Sequence, residues 1–270
     1  MALALLVTTL AGLATCLGGW LGTRPALLAP HVLAASLAFA AGLMLTISVV
    51  EIIPGALAGL GELVGPGPAL AWVLGVAVLG MLTVVVISAL IPHRLNPGQT
   101  TGGRELERTR RGEVDARLLG SGMLLAVVVG LHNLPEGLAT FVSTLQSPSG
   151  GVVLAVAIAL HNVPEGLAVA APIYAATGSR ARALLWATLS GLAEPVGAVL
   201  GYLALRAVLA PEWLDLSLAL VAGMMIAVSF SELLPAARRY QRRTRESLVG
   251  FLLGAVVMVL SLWLLAAPFG

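Results

Sequence analysis

His132-Asn133-Leu134-Pro135-Glu136-Gly137-Leu138-Ala139 returns as His161-Asn162-Val163-Pro164-Glu165-Gly166-Leu167-Ala168, with one difference, Leu134 against Val163. Both octets lie inside long apolar stretches, where a carboxylate or imidazole is costly unless paired, bound or wetted. On a helix, His132, Asn133 and Glu136 share one face, because residues three and four apart are neighbours there. The same holds for His161, Asn162 and Glu165. Imidazole nitrogen, amide oxygen and carboxylate together suit a divalent cation. The octets therefore read as paired helix faces around an ion, and the rest of the chain as their scaffold.

The composition fits a membrane scaffold. Hydrophobic residues make up 59%, charged residues 10%, and mean hydropathy is +0.99; a globular protein carries about 25% charged residues. An integral membrane protein follows, with the lipid bilayer as its main partner and nothing pointing to nucleic acid. Cys16 is the single cysteine, which excludes an intramolecular disulfide and argues against a thiolate metal site. Residues 2–22 are apolar with no basic stretch ahead of them, so they read as a retained first helix and not as a cleaved signal.

A membrane helix needs about 20 mainly apolar residues. Eight segments qualify: 2–22, 31–56, 69–91, 118–145, 149–177, 181–209, 213–237 and 246–267. All 15 basic residues are arginines. With eight spans, every arginine except Arg206 falls in loops 1–2, 3–4, 5–6 or 7–8, on one side of the membrane. The positive-inside rule makes that side cytoplasmic and puts both termini outside. Residues 92–117 form the sizeable hydrophilic stretch and read as a cytoplasmic loop, with a short helical turn expected near residues 105–111. Its single histidine, His93, favours a solvated tether over a metal-capturing loop.

Two weaker repeats flank the octets. Glu51-Ile52-Ile53-Pro54 in span 2 echoes Glu232-Leu233-Leu234-Pro235 in span 7, and Ala11-Gly12-Leu13-Ala14 in span 1 echoes Ser190-Gly191-Leu192-Ala193 in span 6. Each pair is five spans apart, so its copies cross the membrane in opposite directions. The fold class is all-α integral membrane: eight transmembrane helices in a 3+2+3 arrangement, with an inverted repeat of helices 1–3 and 6–8 and spans 4 and 5 near the pseudo-symmetry axis. The whole chain, 1–270, reads as a single transmembrane domain.

Glu51, Glu136, Glu165, Glu194 and Glu232 fall inside spans, and no arginine lies centrally in any span to pair with them. Each octet proline removes one backbone N–H and frees the carbonyl of Leu131 or Leu160. Glu194-Pro195 in span 6 repeats the carboxylate-plus-proline chemistry. His132 reads either as a packed imidazole or as an outer-shell or access ligand. Glu51 and Glu232 read either as vestibule groups that receive or release metal or as helix-end groups. His31 and His93 sit at span edges.

The paired octets, Glu194 in Ser190-Gly191-Leu192-Ala193-Glu194, the eight spans and the hydrophilic loop 3–4 resemble ZIP-family divalent metal transporters. The run from Ala168 to Arg180 is most similar to their bacterial zinc-uptake (ZupT-like) branch. The resemblance implies uptake of Zn²⁺ chiefly, with Fe²⁺, Mn²⁺ and Co²⁺, across the bacterial inner (plasma) membrane through a binuclear site between helices 4, 5 and 6. It implies one ion held by Glu136, His161 and Glu165, and a second by Asn133, Glu136, Asn162, Glu165 and Glu194, with the two glutamates bridging. It also implies a transporter and not an enzyme, no prosthetic group, and a homodimer. Alternating access, one helical unit moving against another, is the expected mechanism.

Two rivals come from other classes. An intramembrane zinc peptidase would want H-E-x-x-H, which the chain lacks, and di-iron oxidases use many histidines where the spans offer only His132 and His161. A metal-sensing membrane protein without flux is the third reading; kinked symmetrical helices and scant extramembrane mass favour transport over both.

Overall fold

A computed structural model describes residues 1–90, 116–205 and 211–266. Helix α1 spans Ala2–Leu21, and a 3₁₀ turn, Pro25–Leu28, leads to α2. Helix α2 runs Pro30–Ile47, widens into a π turn at Ser48–Ile52 and continues as Ile53–Val64. Then come α3 (Pro66–Leu90), α4 (Ala116–Gln146) and α5 (Pro148–Thr177). Helix α6 comprises Arg180–Gly191 and Ala193–Leu205. Helix α7 comprises Pro211–Val228, a second π turn at Ser229–Leu233 and Leu234–Tyr240, and α8 is Thr244–Ala266. Among the described residues eight helices are long and apolar enough to cross a membrane. The chain is a multi-pass, all-α membrane protein.

Local chemistry explains the ends. Pro30, Pro66, Pro148 and Pro211 each open a helix, where a missing N–H costs nothing. Ser147 and Ser179 cap α5 and α6, accepting from Gly150 N at 3.2 Å and Arg182 N at 3.3 Å. Gly178 ends α5 at φ 64°, a conformation that favours glycine. Pro54 and Pro235 follow the two π turns; a proline cannot donate to the preceding turn, and the ladder widens to accommodate it. Glu51 and Glu232 sit in those widened turns.

The helices sort into two groups of four. Helices α1, α4, α5 and α6 pack together, as do α2, α3, α7 and α8, and the groups meet chiefly where α2 faces α5 and α4 faces α7. Glycine contacts display the inverted repeat directly. Gly42 of α2 packs on the Phe251 carbonyl of α8, and Gly223 of α7 packs on the Ala77 carbonyl of α3. Gly18 of α1 packs on the Val163 carbonyl, and Gly197 of α6 on the Leu134 carbonyl. Gly12 and Gly191 face each other's carbonyls where α1 crosses α6. Every one of these contacts is reproduced by exchanging α1 with α6, α2 with α7, α3 with α8 and α4 with α5. Small residues let the backbones approach this closely, the usual basis of helix association in membranes.

Three boundaries differ from expectation. Span 2, expected to end at residue 56, continues to Val64, because Ala56 and Leu60 are buried against α3 and α7 and that packing outweighs the glycines; Glu62 is therefore helical and not in a loop. Span 6 is interrupted at Leu192, since Pro195 cannot donate to the Gly191 carbonyl. Span 7, expected from residue 213, starts at Pro211, and Asp215 in its first turns is buried and accepts from Gln146 Nε2 at 3.0 Å. Most of the expected loop 92–117, its helical turn at 105–111, His93 and Arg206 lie outside the described residues; Ala116 and Arg117 begin α4.

The Gln146–Asp215 bond ties α4 of one group to α7 of the other. Gln146→Ala removes a donor to a buried carboxylate and is expected to cost about 1 kcal/mol of stability, read as a fall of a few degrees in the melting temperature in detergent.

Candidate metal centre

The octets set the site by register. His132, Asn133 and Glu136 line one face of α4, His161, Asn162 and Glu165 one face of α5, and Glu194 joins them from α6 immediately past its interruption. All seven are buried. The histidines cross over: His132 Nε2 lies 3.2 Å from Glu165 Oε1, and His161 Nε2 lies 3.3 Å from Glu136 Oε2. The two pairs are equivalent under the exchange of α4 with α5. Ligand atoms of His132, Glu136 and Glu165 all come within 4.8 Å of one another.

The asparagines are held from outside the site. Asn133 Nδ2 donates to the Ser190 carbonyl at 3.1 Å, and Asn162 Nδ2 donates to the Ala11 carbonyl at 2.8 Å and to Glu194 Oε1. An amide whose nitrogen is fixed on a carbonyl has its oxygen fixed too. Oδ1 of Asn133 and Asn162, Oε1 of Glu136, and Oε2 of Glu165 and Glu194 are all buried without a hydrogen-bond donor. Five orphaned acceptor oxygens on three adjoining helices are unfavourable unless something positive meets them. The two His–Glu crossings occupy one oxygen each of Glu165 and Glu136, and no arginine nitrogen reaches the five oxygens named here.

Gly137 and Gly166 bring the helices together at this level. A Cβ at Gly137 would fall on the Glu194 carbonyl group, and one at Gly166 on the Thr15 carbonyl. Glycine is required at both places by close approach of backbone to backbone.

A cleft between α3, α4 and α7 reaches His132; Val128 and Leu131 form one wall, Met224 and Val228 another, and Ser88 and Glu232 stand together in its lining. Ser88 Oγ donates to Glu232 Oε1 at 2.9 Å. Glu51, the repeat counterpart of Glu232, is exposed, as is His31. Ser88 went unnoticed in the sequence, as a single polar residue in an apolar run with no motif around it.

The full chain compares with known proteins as its motifs suggest. Residues 96–262 match the family described as ZIP Zinc transporter. A protein of Corynebacterium efficiens named zinc transporter ZupT is 44% identical, over 96% of this chain and 95% of its own length. Proteins of the same name from Chlorobium chlorochromatii and Salmonella newport are 42% and 40% identical, over 96% and 98% of this chain and the same shares of their own lengths. With the family matched over more than half the sequence and relatives aligned from end to end, the chain belongs to the ZIP family.

Proposed function

We propose that this protein carries divalent metal ions, Zn²⁺ chiefly and Fe²⁺, Mn²⁺ and Co²⁺ with it, across the bacterial inner membrane into the cytoplasm. The observation that carries the proposal is the set of five buried acceptor oxygens without donors on α4, α5 and α6. A dehydrated divalent cation is the partner that such a set of carboxylate and amide oxygens suits. The names of the relatives, zinc transporters aligned over nearly all of this chain, support zinc as the main cargo.

The site would hold two ions. His132, Glu136 and Glu165 are grouped closely enough to share one, with His161 approaching from the mirror-related side against Glu136. Asn133, Asn162 and Glu194, with the two octet glutamates bridging, would hold the second. This gives His132 and His161 comparable standing as ligands. Mixed nitrogen and oxygen ligands without thiolate favour the reversible binding that transport needs. The work is binding and release, with no bond made or broken in a substrate, so the protein acts as a transporter and not an enzyme, without a prosthetic group.

Alternating access has support in the fold. The cleft at His132 opens between the groups on one side, while the repeat counterparts of its walls, among them Leu43, Ile47 and Met258, are fully buried. Open on one side and packed shut on the other, two mirror-related paths are what an inverted repeat supplies. The helix ends near Glu232 adjoin Arg238, Arg239, Arg242, Arg243 and Arg245, which supports a cytoplasmic location for that side and an outside location for both termini by the positive-inside rule. Glu232 then stands on the release path. Exposed apolar residues along α3 and α8, such as Trp72, Leu82, Leu253 and Val256, suit lipid or a second copy in a homodimer.

Zinc uptake into proteoliposomes tests the proposal. Accumulation against trapped chelator supports flux; stoichiometric binding without accumulation would favour the sensing alternative. Because ligands must shed protons to bind metal, uptake is expected to fall as the external pH drops from about 7 to about 5, through the ordinary histidine range. A steady rise over that interval would contradict the ligand assignment.

A further inference from the structure

We propose that Thr15 of α1 is a further cargo-site residue, the neutral counterpart of Glu194, and that it sets the charge of the site at three carboxylates. The inference rests on the metal-site reading above and extends it to a fourth helix.

Thr15 is fully buried, and its hydroxyl has no hydrogen-bond partner. The other buried threonines of the described residues tie the hydroxyl to a carbonyl of the preceding turn: Thr8 to Ala4 at 2.8 Å, Thr140 to Glu136 at 3.1 Å and Thr144 to Thr140 at 2.7 Å, each four residues back, and Thr23 to Trp20, three back, at 2.8 Å. For Thr15 the carbonyl four residues back belongs to Ala11, and the side chain bonded to it is Asn162, through Nδ2. A hydroxyl left unpaired in a membrane interior is costly, which makes this position worth explaining.

The inverted repeat explains it. Asn162 bonds the carbonyl of Ala11 on α1, and Asn133 bonds that of Ser190 on α6. One turn beyond Ala11 stands Thr15, and one turn beyond Ser190 stands Glu194. The two side chains flank one crossing: a Cβ added at Gly12 would lie 3.3 Å from Glu194 Cβ, and one added at Gly191 would lie 3.1 Å from Thr15 Oγ1. Glu194 meets Asn162; the symmetry-related neighbour of Thr15 is Asn133, whose Oδ1 is also without a donor. By repeat register, the Thr15 hydroxyl and the Asn133 amide oxygen, both without a hydrogen-bond partner, are the neutral counterparts of the anionic Glu194–Asn162 pair.

A hydroxyl oxygen is a weak, uncharged ligand to a divalent ion. With a carboxylate in its place, four anionic groups would face two ions of charge +2, and release would slow. With a methyl in its place, Asn133 would face the ion alone. Thr15→Val keeps the shape and removes the oxygen, Thr15→Ser keeps the oxygen, and Thr15→Asp adds the missing charge.

Zinc uptake kinetics of the full-length protein in proteoliposomes discriminate these roles, with Glu136→Ala run alongside. Thr15→Val is expected to raise KM about tenfold, the scale seen for groups that support metal ligands, while Thr15→Ser stays near wild type and Thr15→Asp lowers both KM and the maximal rate. An unchanged KM in Thr15→Val, or an equal loss of rate in the Val and Ser variants at constant KM, would overturn the inference and leave Thr15 a packing residue. If Glu136→Ala abolishes uptake in that same experiment, the site reading stands without Thr15. If Glu136→Ala transports normally, the site reading itself fails and the inference falls with it.

Discussion

Glu165→Ala is expected to abolish zinc uptake, with a loss on the order of 100-fold or more, since removing groups that merely support metal ligands already costs about 10- to 100-fold. Three separate interactions go with that carboxylate. It is the partner of His132 at 3.2 Å, it belongs to the close group with His132 and Glu136, and its Oε2 is one of the orphaned acceptors. In the proposed site it bridges both ions, so neither position survives its removal. Glu165→Gln keeps size and hydrogen bonding but lowers the negative charge, and is expected to retain the fold while losing nearly as much flux. Uptake assays read the effect, and size-exclusion chromatography in detergent confirms that the variants are folded. Near-normal uptake by Glu165→Ala would remove it from the site.

Gly137→Ala is expected to cost about 3 kcal/mol, at the upper end of what overpacking a well-filled interior costs, and to abolish flux as well. The added Cβ would fall on the Glu194 carbonyl group, with the Glu194 Cα only 2.7 Å away. Backbone cannot swing aside as a flexible side chain can, so α4 and α6 must separate, and Glu194 moves away from Glu136 and Glu165. Gly166→Ala should behave alike, since its Cβ would meet the Thr15 carbonyl and lie 2.9 Å from Gly19 N. Gly75→Ala in α3 meets nothing within 4 Å and is the neutral control. Thermal unfolding in detergent orders the three, with Gly75→Ala at or above wild type because alanine favours helix.

Much of this was legible in the sequence. Arginines segregate into alternate loops, which points to eight spans, and the two octets with the two short echoes carry the inverted repeat in the sequence itself. The proposed ligands also stand out by residue type, because polar groups in apolar membrane helices are costly unless they are used. What was hidden depends on tertiary contacts. The octets are chemically equal, so nothing in them tells that His132 rather than His161 meets the cleft; that follows from α3 and α7 packing on one side only. Thr15 looks like any helical threonine until the Asn162–Ala11 bond is seen, although aligning Ala11-Gly12 with Ser190-Gly191 places it in register with Glu194. The burial of Asp215 was hidden by its place near the start of span 7, since it comes from residues distant in sequence, Gly59 of α2 packed against its carboxylate and Gln146 at the far end of α4. The continuation of α2 past residue 56 runs through Gly55, Gly59 and Gly61, poor helix formers, and its packing against α3 and α7 is not visible in the local sequence.

Anomalous diffraction at the zinc edge from crystals of the zinc-loaded protein tests the central claim most directly. Two zinc peaks are expected among α4, α5 and α6, both within about 2.0–2.2 Å of oxygens from Glu136 and Glu165, one adjoining His132 and the other Asn133, Asn162 and Glu194. Zinc found only outside these helices, in protein that still transports it into liposomes, would contradict the account.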